Sequence, residues 1–235
     1  MIDYNKLEHN KKGQVTLRSL MDFLLYCSSE ERWDAFYEIA NGELASEYPM
    51  SWKTFYKGLQ FAYDSGKAAP SEASELFEEC QFDWYEYSTK KEQRFYDAIE
   101  GDQYIYRGCT EEEGDEYGIS WTTDKGVAEF FAYRFKDILE KNGKHPRVIK
   151  IKVKDLCGDI CGVLLDRGEK EVIIPNGFVE EENVEVDSTE PTEAYEKYME
   201  KRRANTMKMV NKDGGALLGQ DGNLYTLDGT LLAAF

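Results

Sequence analysis

Residues 163–175 read VLLDRGEKEVIIP: an apolar run, a charged break containing a glycine, and a second apolar run closed by Pro175. Two short strands joined by a tight turn satisfy that pattern, because glycine and charge suit the turn while β-branched residues fit a pleated surface. Proline has no backbone N–H to give to a ladder, so it ends the second strand. Just upstream, RVIKIKVKDL (147–156) alternates Ile149, Ile151 and Val153 with Lys150, Lys152 and Lys154, the period of a strand with one wet face. QYIYRG (103–108) is a further β-rich run, followed by the acidic loop TEEEGDEYG (110–118). Together these segments predict a strand-built core over residues 100–187, with the acidic stretch 180–190 as a linker or an exposed edge.

Helical spacing surrounds this core. KGVAEFFAYRFKDILEKNG (125–143) puts Val127, Phe131, Phe135, Ile138 and Leu139 on one face of a single predicted helix, capped by Thr122, Thr123 or Asp124 and ended before Gly143. Residues 1–99 form a predicted helical region. In TLRSLMDFLLYC (16–27), Leu17, Leu20, Met21, Leu24 and Leu25 share a face. Ser29 is the expected cap of WDAFYEIA, Ser51 opens WKTFYKGLQFAY with Gly66 as its stop, and Ser71 starts EASELFEEC. KKEQRFYDAI (90–99) leads into the core. The aromatic residues of these helices read as packing, with no catalytic pattern among them. Residues 188–235 contribute a charged helix from Thr192 to about Lys208. Three Asp-Gly pairs then follow, at 213–214, 221–222 and 228–229, which spell hairpin turns in a small meander packing on the core. The fold class is α+β.

The 235 residues include 41% hydrophobic and 14% aromatic side chains, enough for a packed interior. With 29 basic against 46 acidic residues the formal charge is −17, which repels phosphate backbones and anionic membrane surfaces and disfavours a nucleic-acid partner. A basic protein partner fits that charge. No apolar run approaches the roughly 20 residues needed to cross a bilayer, and MIDYNKLEHN carries no signal-type region, so a cytoplasmic protein without membrane partners is expected. Five scattered cysteines read as buried, reduced thiols. Cys157 and Cys161 lie four apart, but neither His9 nor His145 sits at ligand spacing, so no metal site is expected.

Three short motifs bear on chemistry: Tyr106-Arg107-Gly108, Ser120-Trp121-Thr122, and Arg167-Gly168-Glu169-Lys170-Glu171-Val172. An arginine at a strand end can fork two hydrogen bonds onto a diphosphate, and Gly108 permits close approach of a ligand. A structural salt bridge is the plainer reading of Arg107. Ser120 and Thr122 point to one side of an extended segment, where they could fix a ribose, while Trp121 anchors the other side. Thr122 could equally cap the next helix. Glu169 and Glu171, alternate residues of extended chain, put two carboxylates on one face. A solvated edge would tolerate that, but the VIIP that follows draws Glu171 into a buried strand, where an unpaired carboxylate is costly.

The order of an arginine, then Ser-x-Thr, then Glu-x-Glu resembles the arginine, serine and glutamate signature of one branch of the ADP-ribosyltransferases. YRG, GISWTTDKGVAEFFAYRF and RGEKEVIIP are similar in texture to its bacterial and bacteriophage members, over roughly residues 103–175. Trp121 and Thr122 depart from it, standing where the family often has threonine and a second serine. The resemblance implies a split β-sheet catalytic core, NAD as substrate, and transfer of ADP-ribose to a protein acceptor, in this branch an arginine. It assigns Glu171 to the transition state and the ribose 2′-hydroxyl, Glu169 to the acceptor nitrogen, Arg107 to the diphosphate, and Ser120 to Glu171 and the nicotinamide ribose. Phe130 or Phe131 offers a stacking face for nicotinamide. An NAD glycohydrolase and a catalytically inactive binding module of the same fold are the alternatives.

Overall fold

The computed structural model describes residues 2–111, 118–165, 168–213, 216–218, 224–226 and 231–233, and side chains up to residue 205. Two compact units emerge. One holds Met1–Gln103, Glu116–Trp121 and Lys152–Asn183, the other Tyr104–Asp115, Thr122–Ile151 and Val184–Phe235.

In the first unit, α1 (Leu17–Tyr26) starts where Thr16 accepts a hydrogen bond from the Ser19 N–H, and it buries Leu20, Phe23 and Leu24. The face is rotated from the expected one. Leu25 is 61% exposed because the aromatic Phe23, with more apolar area to hide, takes the centre of the stripe. Helix α2 (Arg32–Ala40) is entered through Ser28 rather than Ser29, with the Ser28 Oγ accepting from the Glu31 N–H. Arg32 then donates to the carbonyls of Leu24, Cys27 and Ser65, tying three chain segments together. Ser51 caps α3 (Trp52–Ser65) and Gly66 follows its end. A Cβ on Gly66 would meet the Ala62 carbonyl at 2.5 Å and the Trp33 nitrogen at 3.1 Å, so close approach is what requires glycine there. Helix α4 (Pro70–Glu79) begins with proline in its first turn, which places Ser71 inside the helix. After α5 (Trp84–Tyr87), a full Thr89/Glu92 capping box starts α6 (Lys90–Asp97).

The hairpin read from VLLDRGEKEVIIP is present in this unit. To keep strand numbers in chain order, β1 is Tyr104–Thr110, β2 Ser120–Thr122 and β3 Pro146–Lys152; the hairpin is β4 (Gly162–Leu164) and β5 (Glu171–Ile173). The pair is antiparallel, with Leu164 opposite Glu171 and Val163 opposite Val172. The Ile174 N–H donates to the Ile119 carbonyl at 2.9 Å, and β5 neighbours β2.

In the second unit the strand order is β1, β3 and β6 (Glu185–Ser188). Tyr106 of β1 faces Thr122, and β3 runs antiparallel to β6 with a register shift between Val148 and Ile149. Both residues at that shift are buried, and from Ile149 to Lys152 the strand alternates as expected. It also ends early, because Val153–Asp155 forms a 3-10 turn. Of the acidic stretch 180–190, Glu185–Ser188 is the outer strand of this order.

The single helix expected over 125–143 is two, α7 (Lys125–Tyr133) and α8 (Lys136–Lys141), with Asp124 as the cap of the first. Phe135 breaks the helical backbone at φ −125°, and Phe135 and Ile138 are more than half exposed. The buried face is Val127, Ala128, Phe130 and Tyr133, because small alanines let α7 lie against β1. A Cβ on Gly108 would stand 2.2 Å from the Ala128 carbonyl and 2.6 Å from the Ala132 nitrogen. On its other side α7 meets α9 (Glu193–Asp213), where a Cβ on Gly126 would lie 2.6 Å from the Ala194 carbonyl. Fully buried Glu129 accepts from the Thr192 hydroxyl at 2.7 Å, with Lys125 Nζ at 3.8 Å.

After α9, three strands, β7 (Ala216–Leu218), β8 (Leu224–Thr226) and β9 (Leu231–Ala233), pair as an antiparallel meander. The pairs Asp221-Gly222 and Asp228-Gly229, and Gly214, lie outside the described residues, as do the side chains that would show what the meander packs on. The chain is thus α+β, and no helix among the described residues is long and apolar enough to cross a membrane.

The contact at Gly108 is backbone against backbone, so it cannot yield as a flexible side chain would. Gly108→Ala is expected to destabilise the protein by about 1–3 kcal/mol, the range for overpacking a tight contact. Urea unfolding measures it, and an unchanged midpoint would refute the α7–β1 packing described here.

Candidate functional site

Among the residues of the first unit, Glu171 opens β5, and the next three residues, Val172, Ile173 and Ile174, have no exposed surface. Glu171 itself is half-buried at that boundary. The Tyr63 hydroxyl, on α3, donates to its Oε1 at 3.4 Å. Ser120, also half-buried, begins β2, the strand next to β5. Trp121 is buried, as expected of the anchor of that segment.

Glu169 stands differently from expectation. Lys170 has a left-handed φ of +50° and Gly168 one of +73°, and the strand starts only at Glu171. The pleat that would put Glu169 and Glu171 on one face is therefore absent. Glu169 belongs to the turn, half-buried, while Glu171 belongs to the strand. A residue with a Cβ adopts the left-handed conformation at a cost of about 1–2 kcal/mol. Arg167 lies outside the described residues.

In the second unit, Arg107 sits half-buried in the middle of β1 rather than at its end. What comes close to Gly108 is the backbone of α7. The phenol of the neighbouring Tyr106 is pushed up by burial and then by the Asp187 carboxylate. That carboxylate anchors two cations, Lys125 Nζ at 2.6 Å and Lys150 Nζ at 3.3 Å. Thr122 is buried and its Oγ1 accepts from the Asp124 N–H at 3.0 Å, while Asp124 in turn accepts from Gly126. Thr122 thus shapes the entry to α7.

Phe130 and Phe131, which are edge-to-face at 5.4 Å, have different environments. Phe130 is 7% exposed and carries the Arg202 guanidinium 4.1 Å from its ring centre, whereas Phe131 is half-buried with Arg134 at 4.7 Å. Phe131 is the one with an accessible surface.

Sequence reading missed Tyr63. The signal was there in the spacing Tyr56, Gln60, Tyr63, since a glutamine on an aromatic helix face demands a polar counterpart. The cysteine reading needs one correction: Cys157 is exposed, its thiol pushed up by a hydrogen bond to Glu180, whereas buried Cys161 is pushed up to about 12 by burial. A thiol so protonated is a poor nucleophile and a poor metal ligand. Among the described residues, no group of three or more His, Cys, Asp or Glu is placed to hold a metal ion.

If Phe130 is core and Phe131 a usable ring face, their truncations separate. Phe130→Ala is expected to cost about 3–5 kcal/mol and Phe131→Ala clearly less. Equal losses on denaturant unfolding would place both in the core. No family model matches the chain, and no curated protein or solved structure matches it either.

Proposed function

We propose that the chain is a mono-ADP-ribosyltransferase with an ADP-ribosyltransferase-like core, acting in the cytoplasm. In this reading it cleaves NAD at the nicotinamide-ribose bond and transfers ADP-ribose to a protein acceptor, an arginine. The observation that carries the reading is the placing of Glu171 as a half-buried carboxylate, hydrogen-bonded from Tyr63, heading a strand that is otherwise wholly buried. The ordered set of Arg107, Ser120 and the Glu169/Glu171 pair supports it.

The chemistry explains why such a carboxylate is needed. Nicotinamide is already a cationic leaving group, so its departure asks for little acid catalysis. The C1′–N bond breaks with its electron pair going to the pyridine ring, and positive charge spreads over the ribose. A fixed carboxylate beside that ring stabilises the transition state more than the ground state. Glu171 takes this role and holds the 2′-hydroxyl. A guanidino nitrogen of the acceptor then bonds to C1′ and releases a proton to Glu169, whose place in the turn gives it a position separate from Glu171. Arg107 clamps the diphosphate, Ser120 supports Glu171 and the nicotinamide ribose, and Phe131 offers a ring face to nicotinamide. The acidity of the whole chain favours a basic acceptor protein.

Labelled NAD incubated with a protein lysate tests the reading. The wild type is expected to transfer label to protein. Glu171→Gln is expected to lower nicotinamide release on the order of 10² to 10³-fold. Glu169→Gln is expected to lose transfer while still cleaving NAD. Cleavage without transfer by the wild type would point to a glycohydrolase, and NAD binding without turnover to an inactive module.

A further inference from the structure

This inference rests on the reading that Glu171 faces the nicotinamide ribose, and it concerns what holds Glu171 in place. Helix α3 carries Tyr56, Gln60 and Tyr63 at positions i, i+4 and i+7, which share one face at 3.6 residues per turn. Gln60 is buried, and its Nε2 lies 3.0 Å from the Tyr56 hydroxyl, 3.4 Å from Glu92 Oε1 and 3.5 Å from the Val163 carbonyl. Val163 is the middle residue of β4, next to Leu164, which stands opposite Glu171. Farther along the same face, the Tyr63 hydroxyl donates to Glu171 Oε1 at 3.4 Å. One helix face therefore grips β4 by a backbone carbonyl and β5 by its first side chain.

Tyr63 is itself seated. Its ring stands edge-on to Phe77 of α4, with centroids 5.3 Å apart and an interplanar angle of 87°. Fully buried Phe77 closes on Gly162, the first residue of β4, where a Cβ would come within 3.3 Å of its ring. The tyrosine ring thus packs on a side chain that also packs on the hairpin, so its hydroxyl has little freedom to follow a moving carboxylate. A donor held this way fixes a side-chain rotamer as well as a charge.

We propose that Tyr63 is a positioning residue for Glu171. Its hydroxyl holds one carboxylate oxygen, sets the rotamer that presents the group to the reacting ribose, and favours the ionised form that chemistry requires. The helical region then supplies part of the machinery rather than a cover for it.

Tyr63→Phe removes only the hydroxyl and keeps the ring on Phe77, so it isolates the effect. Steady-state nicotinamide release from NAD is measured for the full chain and for this variant across the acidic pH range, alongside thermal unfolding. The variant is expected to lose about tenfold in kcat with KM for NAD changed by less than about twofold, the pattern of an interaction realised in the transition state. The acidic limb of its kcat profile is expected to move to higher pH, because the carboxylate has lost a donor to its charged form. A variant with wild-type kcat and pH profile overturns this inference, while turnover by the wild type leaves the Glu171 reading standing. A fall in kcat that follows a lost unfolding transition, with the acidic limb unmoved, marks a merely structural role and also overturns it. No nicotinamide released by the wild type overturns both.

Discussion

Three consecutive side chains, Val172, Ile173 and Ile174, have no contact with solvent, and that burial decides where the neighbouring carboxylate stands. A strand buried on both faces is a near-continuous apolar run, and a charge cannot enter it without partners. Glu171 occupies the last position before the run, where a donor from the protein can replace lost water. Helix α3 provides that donor with the same face that holds the adjoining strand through Gln60 and Val163. The polar contacts of α3 are thus a consequence of how deeply β5 is buried.

The second unit follows a different logic, in which small residues bring backbones together. Gly108 and Ala128 let α7 settle on β1, and Gly126 and Ala194 let α9 settle on α7. Two polar side chains buried by this packing are hydrogen-bonded in turn. Glu129 meets the Thr192 hydroxyl, and the Tyr133 hydroxyl donates to the Ser188 carbonyl at 3.0 Å. Arg107 lies on the strand that this packing backs, so its side chain starts from a rigid base. The diphosphate clamp proposed for Arg107 would draw on such a base, because an ordered side chain loses less entropy on binding.

Much of this was legible in the residues. The hairpin at 163–175 could be read because glycine and charge interrupt two apolar runs, and the strand at 146–152 because lysine and isoleucine alternate. Those signals are local. Where the reading failed, an unsignalled backbone conformation or a distant partner had intervened. The helix at 125–143 breaks at Phe135, whose φ of −125° leaves the helical range, a local turn of the backbone that periodicity cannot register. Lys170 takes a left-handed conformation that lysine rarely adopts, so the turn conformation before Glu171 was hidden by its residue type. Gly108 was read as room for a ligand, whereas what approaches it is the backbone of α7, which no local signal names. Tyr63 and Glu171 are 108 positions apart in sequence, and only folding relates them.

The central claim is that the carboxylate at position 171 works at the nicotinamide ribose of NAD. A crystal structure of the Glu171→Gln protein soaked with NAD tests it most directly, since the substitution removes the charge while keeping the shape of the side chain. The account predicts the side-chain amide within hydrogen-bond distance of the ribose 2′-hydroxyl and beside C1′, with the Tyr63 hydroxyl still on its carbonyl oxygen. A dinucleotide bound with its nicotinamide ribose away from position 171, or residue 171 turned away from C1′, would contradict it.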